Sequence, residues 1–415
     1  PALKCNNKTK REKGKITKLM TTQNATREFV EIADIESKLR KNKNYKDYFL
    51  VYDAELCTPS KLAITDLTDF SSKCKILPDV TRTNINTKLD SLSALNIPYG
   101  GLSVDEYIYQ NGSFEKLYRL HKSLVKLLKN GIIPMNNKNL YHSDIKDVNV
   151  LVEESGDQCK SRLIDWGLFT EYKPNVNFPF SKNWTNRPLQ FNVPFSVILF
   201  SETFLTKYNK YLKDGGETTE EKLKPFIVDY IKFWMQHRGV GHYKYINEMM
   251  TSLFINELDD EPEENRKEII EKEFTMDYIA NYLVDVLVHF TRFKPDGSVH
   301  LREYIDNIYI NIVDIWGFIT IYYPIVEMLS NSYERLSENH IKIFKQLQFI
   351  FVNYLYDPRH EKIDMKQLDA SLDIVGKLFH KTVNGNLETY KSHSPSPKNS
   401  EIIESESESR KVKTL

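Results

Sequence analysis

The chain has 415 residues, 40% hydrophobic and 27% charged, enough apolar material for one large domain or two ordinary ones, which excludes a wholly disordered polymer. Lys and Arg total 57, and so do Asp and Glu, so the overall field offers no general attraction to nucleic acid or to an anionic membrane. No apolar signal-peptide core opens the chain. The four cysteines, Cys5, Cys57, Cys74 and Cys159, form no CxxC pair and no zinc-ligand spacing, and read as the reduced thiols of an intracellular protein. The first residue is Pro1 and not a methionine, as in a fragment or a processed product.

In chain order, residues 3–20 predict two short strands around a Lys/Gly turn at Gly14. A helix follows, with Phe29, Ile32, Ile35 and Leu39 at helical intervals and Asn24 as its N-cap. Residues 48–98 hold short apolar runs broken by Pro, Asp and Ser, a pattern of strands and loops. Residues 112–131 form an amphipathic helix ending at Gly131. Two strand-like runs, VNVLVEE and CKSRLIDWG, are joined through Ser155-Gly156-Asp157, a hairpin turn. From about 197 to 385 the pattern is almost wholly helical, with acidic 256–265 as a solvated loop. The most apolar stretch, 307–329, carries Asp314 near its middle. A charge there costs on the order of 3 kcal/mol in a bilayer, so a buried core helix is the better reading. Residues 386–415 are Ser-rich and charged, too poor in apolar groups to offset ordering entropy, and predict a disordered tail. The plan is α+β in two lobes.

Between the amphipathic helix and the hairpin, YHSDIKDVN spaces His142, Asp144, Lys146 and Asn149 as H-x-D-x-K-x-x-N, and the hairpin then delivers Asp165-Trp166-Gly167. Phosphoryl transfer needs a carboxylate to orient the acceptor hydroxyl, oxygen ligands for magnesium and a cation near the moving phosphate. Asp144 is the candidate base and Lys146 the candidate γ-phosphate contact. Asn149 and Asp165 are hard oxygen ligands that a hairpin can bring to one ion.

The segment resembles the catalytic loop and D-F-G of the eukaryotic-type serine/threonine protein kinase superfamily. The resemblance implies a bilobal fold with a small β-rich N-lobe at 1–98 and a helical C-lobe at 99–385. It implies ATP and Mg2+ as cofactors and a protein hydroxyl as acceptor. Lys18 resembles the strand lysine that contacts the α- and β-phosphates. Glu28 matches its helix partner, with Glu31 as the alternative, and Tyr99 and Gly100 resemble the adenine-binding hinge. VDIWG is similar to the start of the central helix, where Asp314 would accept hydrogen bonds from the catalytic-loop backbone. Ser143 replaces the arginine that reads a phosphorylated activation segment, and RPLQFNVPFS stands where A-P-E is expected.

Residues from about 200 to 305 would be a helical insertion, whose His237 and His242 read as structural and not metal-binding. No G-x-G-x-x-G precedes Lys18, so under this resemblance the first strand and the glycine loop would be missing from the chain. With the Lys/Asn/Tyr-rich composition, the motifs look like those of the divergent kinases of giant, mimivirus-like DNA viruses, which implies host cytoplasm or the virion. The alternative is a pseudokinase scaffold without useful turnover. The tail serines are candidates for autophosphorylation. No nucleic-acid or membrane partner is expected.

Overall fold

Seven residues, Lys15–Thr21, form strand β1, which pairs antiparallel along its whole length with β3 (Leu92–Pro98), Lys18 facing Leu95. The short β2 (Glu55–Cys57) takes the other edge of β3, for a sheet order β1-β3-β2. The computed structural model describes residues 2–68, 70, 77, 79–175, 181–185, 187–357 and 360–384. About 60% of it is helical, beside small antiparallel sheets, so the α+β class holds.

Helix α1 (Thr22–Leu39) follows β1 directly and lies against the sheet; Ala25, Ile35 and Leu39 are buried, the last two in the large hydrophobic core. Its cap is Thr21 and not Asn24: the Thr21 hydroxyl accepts the Asn24 N–H. The last residue of a strand thus doubles as the first of a helix, and no connecting loop is left for a separate cap.

Residues 3–20 yield one strand and not two. Ahead of β1 the chain crosses the sheet. The Leu3 N–H donates to Thr17 Oγ1 at 2.7 Å, Asn6 N–H to the Thr58 carbonyl at 2.9 Å, and Ser60 N–H to the Lys4 carbonyl at 2.7 Å. That pairing brings Cys5 against Cys57, and the two form a disulfide across a sequence separation of 52. The expectation of reduced thiols is therefore wrong for this pair. Cys74 lies outside the described residues. Cys159 is free and half-buried, and burial pushes its thiol up to about 11.

Ser103 and Ser113 start two helices, α2 (Val104–Asn111) and α3 (Phe114–Leu127). The first is boxed by the Glu106 carboxylate on the Ser103 N–H at 3.2 Å. The second buries Phe114, Leu117, Leu120, Leu124 and Leu127 on one face. Gly131 does not end this helix. The chain stays helical through a widened turn, Leu128–Ile132, and on to Asn136. Gly131 is instead a point of close approach, where a Cβ would stand 2.8 Å from the Cβ of Tyr48.

Strands β4 (Leu102–Ser103), β6 (Val150–Ser155) and β7 (Gln158–Leu163) form a second sheet. Val150 faces Leu163 and Ser155 faces Gln158 across the turn, as the hairpin pattern predicts. β5 (Leu140–Tyr141) pairs with β8 (Thr170–Glu171). Beyond them lie α4 (Glu202–Lys213), α5 (Glu220–Arg238), α6 (Gly241–Phe254), α7 (Met276–Phe290), α8 (Ile310–Thr320), α9 (Tyr323–Ser330), α10 (Glu338–Phe351) and α11 (Met365–Asn384). The region read as an insertion shares one continuous hydrophobic core with α8. The run 302–330 is long and apolar enough to cross a membrane, yet 89% of its most apolar window is buried inside the protein. The predicted tail, 386–415, lies outside the described residues.

Closing a loop of this length removes denatured-state entropy worth about 4 kcal/mol in the chain-entropy account. A Cys57→Ser variant should therefore lose about 2–4 kcal/mol in urea unfolding under non-reducing conditions. Equal stability of the variant and the parent would show that the bridge does not form.

Candidate active site

The loop from His142 to Asn149 is held at one end by the β5–β8 ladder and at the other by β6. Underneath it lies α8. Asp314, 1% exposed, accepts the His142 N–H at 2.9 Å and the Ser143 N–H at 2.8 Å, and a third bond from the Asn136 amide at 2.7 Å. Burial still pushes its carboxyl above the usual range. A charge in the middle of an apolar helix is retained because it satisfies backbone donors that would otherwise be stranded. The turn is tight: Ser143 adopts φ 63°, and Asp165 in the neighbouring loop adopts φ 60°, left-handed conformations that non-glycine residues seldom take.

His142 is fully buried and bonded at both nitrogens. Its Nε2 donates to the Ile164 carbonyl at 2.8 Å, while Nδ1 accepts the Asp144 N–H at 3.3 Å. Its ring lies 4.6 Å from that of Trp166. His142 thereby couples the two motif segments. The Ile164 N–H, donating to the Asn149 carbonyl at 3.0 Å, adds a second tie.

Asp144 is 8% exposed and takes four donors. Asn192 Nδ2 at 2.9 Å and Arg187 Nη2 at 3.1 Å bind Oδ1. Asn149 Nδ2 at 3.1 Å and Lys146 Nζ at 3.2 Å bind Oδ2. Burial raises its carboxyl, but Lys146, Arg187 and the Asn192 amide outweigh burial and leave it below the usual value. The same Asn149 amide also donates to the Asp144 carbonyl at 2.8 Å. Its hydrogens are spent on Asp144, so its Oδ1 is what it can offer a cation.

Asp147, three positions on from Asp144, behaves in the opposite way. Burial first, and then the nearby Asp105 carboxylate, raise it to about 7 although it accepts the Val148 N–H.

The structure brings Asp144, Lys146 and Asn149 into direct contact and sets Asp165, exposed, next to the Ile164–Asn149 tie. Lys18 Nζ pairs with Glu28 Oε1 at 2.7 Å, Lys18 being 51% exposed. Glu31, the alternative partner, is exposed, and no bond among the described residues joins it to Lys18. At the predicted hinge the Tyr99 N–H already donates to the Gly14 carbonyl at 2.8 Å, so that N–H is not free for a ligand. Gly100 packs against Leu151 and Leu50, where a Cβ would meet Leu151 Cδ1 at 2.6 Å.

Arg187 and Asn192 are the site residues that sequence reading missed. Arg187 is 5% exposed, bonded through Nη1 to the Ser143 carbonyl and through Nε to Gln190 at 3.0 Å. Their signal was a guanidinium and two amides inside the largely apolar run RPLQFNVPF, since a buried cation needs an acceptor. His242 at the start of α6 also reaches this region. It is held below its usual value by burial and then by Lys146 and Arg187. His237 Nδ1 donates to the Phe233 carbonyl of its own helix at 2.8 Å and takes no part in the site.

No family model, curated protein or solved structure matches this chain.

Removing the Asp314 carboxylate strands two buried N–H groups, so Asp314→Ala should cost about 3 kcal/mol or more in urea unfolding; a loss under about 1 kcal/mol would contradict the anchoring role. Asp147 gives a pH signature. In the folded chain it keeps its proton up to about 7, whereas an unfolded aspartate ionises near about 3.9. Between these values the folded state holds a proton that the unfolded state has lost, so stability falls as pH rises through that window and levels off above it. Urea midpoints measured from pH 5 to 8 should show this fall in the parent and a flatter profile in Asp147→Asn. Parallel profiles would count against the assignment.

Proposed function

We propose that the chain is an ATP- and Mg2+-dependent protein serine/threonine kinase with a bilobal kinase fold. The observation that carries the reading is Asp144, an ionised carboxylate held by Lys146, Asn149, Arg187 and Asn192 on a loop anchored to a buried core carboxylate. A carboxylate with four donors and a lowered pKa is a poor proton acceptor but a good positioner, which suits a reaction that asks mainly for alignment of the acceptor hydroxyl. Lys146 sits on the same oxygen and supplies positive charge for the transferring phosphoryl group. Asn149 Oδ1 and the Asp165 carboxylate are the hard donors that would hold magnesium, whose charge offsets that of the phosphates. The Lys18–Glu28 pair, on β1 and the helix behind it, suits the α- and β-phosphates.

The reaction would join the acceptor oxygen to the γ-phosphorus of ATP and break the bond to the β-phosphate bridging oxygen, releasing ADP. The hydroxyl proton leaves by way of Asp144 or solvent.

Two observations favour a second reading, a nucleotide- or protein-binding pseudokinase. Lys18 is half exposed, and the Tyr99 N–H is engaged by Gly14. The deciding experiment is transfer from labelled Mg-ATP to a generic protein acceptor. Asp144→Asn should lower turnover roughly 10²-fold or more while nucleotide affinity stays within about twofold. Nucleotide binding without any transfer by the parent chain would favour the pseudokinase, and transfer insensitive to Asp144→Asn would exclude this site as its origin.

A further inference from the structure

Asp285 and His289 lie one turn apart on α7, and their i,i+4 spacing places both side chains on the same face. His360 reaches them from the segment that precedes α11. Its Nδ1 is 3.1 Å from Asp285 Oδ1, and His289 Nδ1 is 3.2 Å from the same oxygen. The three prospective ligand atoms lie within 4.8 Å of one another. Bonds of about 2.0–2.2 Å at tetrahedral angles put the donors of a zinc site roughly 3.3–3.5 Å apart, close to the two Asp–His spacings of 3.1 and 3.2 Å.

We propose that Asp285, His289 and His360 form a binding site for a divalent transition metal of the zinc class, which ties the segment carrying His360 to α7. Two imidazoles and a carboxylate are donors suited to such an ion, and three protein ligands leave a position for water. Magnesium and calcium prefer all-oxygen shells and do not fit this set.

The metal-free arrangement has its own logic. The two imidazoles stack with centroids 3.8 Å apart and planes 10° apart, and both share the Asp285 carboxylate. A metal lies in the plane of each imidazole that binds it, so entry must turn at least one ring out of the stack. The side chains of His289 and His360 are 39% and 44% exposed, which gives them room, whereas Asp285 at 12% is the fixed anchor. His289 Nδ1 also lies 2.9 Å from the Asp285 carbonyl, so a metal bound at that nitrogen would replace this hydrogen bond and leave the ring N–H on Nε2. The site uses none of the groups assigned to phosphoryl transfer, and its test is independent of that reading.

The full chain, stripped with a chelator, would be titrated with Zn2+ by calorimetry and with Co2+ by visible absorption, beside His360→Ala and His289→Ala. Far-UV circular dichroism checks their folding, with His360→Gln as the milder replacement. The expected result is one equivalent bound by the parent, at least tenfold weaker binding in each variant, and a Zn2+-dependent rise in thermal midpoint confined to the parent. Mg2+ should not compete. Equal binding by parent and variants would locate the ion elsewhere and overturn the proposal. Absence of binding by the parent would reduce the cluster to a hydrogen-bonded ion pair and overturn it equally.

Discussion

The bonds from Asp314 to the backbone of His142 and Ser143 are the constraint on which the rest of the site depends. A loop that must turn through a left-handed Ser143 leaves its N–H groups pointing into the protein, and only an acceptor already buried there can satisfy them. The same helix does more. Trp316 Nε1 donates to the Phe191 carbonyl at 2.7 Å. A Cβ on Gly317 would stand 2.6 Å from the Ile145 carbonyl oxygen, so glycine is what lets the loop lie on the helix. One turn of α8 thus positions both the loop that carries Asp144 and the segment that carries Asn192.

Within that loop, two aspartates three positions apart are driven in opposite directions by their surroundings. Both are desolvated. Asp144 faces two cations and two amides and stays ionised, whereas Asp147 faces another carboxylate and is raised toward neutrality. Environments that separate the titration of neighbouring carboxyls are a recurrent mark of sites that handle protons or charge. Burial alone would have moved both upward. The neighbours decide the sign.

Around this centre, distant parts of the chain act as braces. The disulfide between Cys5 and Cys57 holds the leading segment across the sheet that carries Lys18. Arg187 bonds the Ser143 carbonyl as well as Asp144, so it braces the same turn from the side opposite to its N–H groups. Helices α4 to α7 share the core with α8, and the start of α6 brings His242 toward Lys146 and Arg187. The helical region is part of the body and not an appendage to it.

Much of this was legible from residues alone. The hairpin at Ser155-Gly156-Asp157, the amphipathic face of α3, the buried helix around Asp314 and the grouping of Asp144, Lys146 and Asn149 all follow from periodicity, turn chemistry and short spacing, which act between near neighbours. Local signals were weaker where two roles share a residue: Thr21 both ends a strand and caps a helix, and Gly131 serves a contact with Tyr48 and not a helix end. What the sequence left open are the pairings across long separations, Arg187 with Asp144 at 43 residues, Cys5 with Cys57 at 52 and His360 with Asp285 at 75. Those were decided by the tertiary structure, because a contact of that range is selected by the packing of the whole core, and the residues beside one partner can mark that a contact is needed without saying which distant residue makes it.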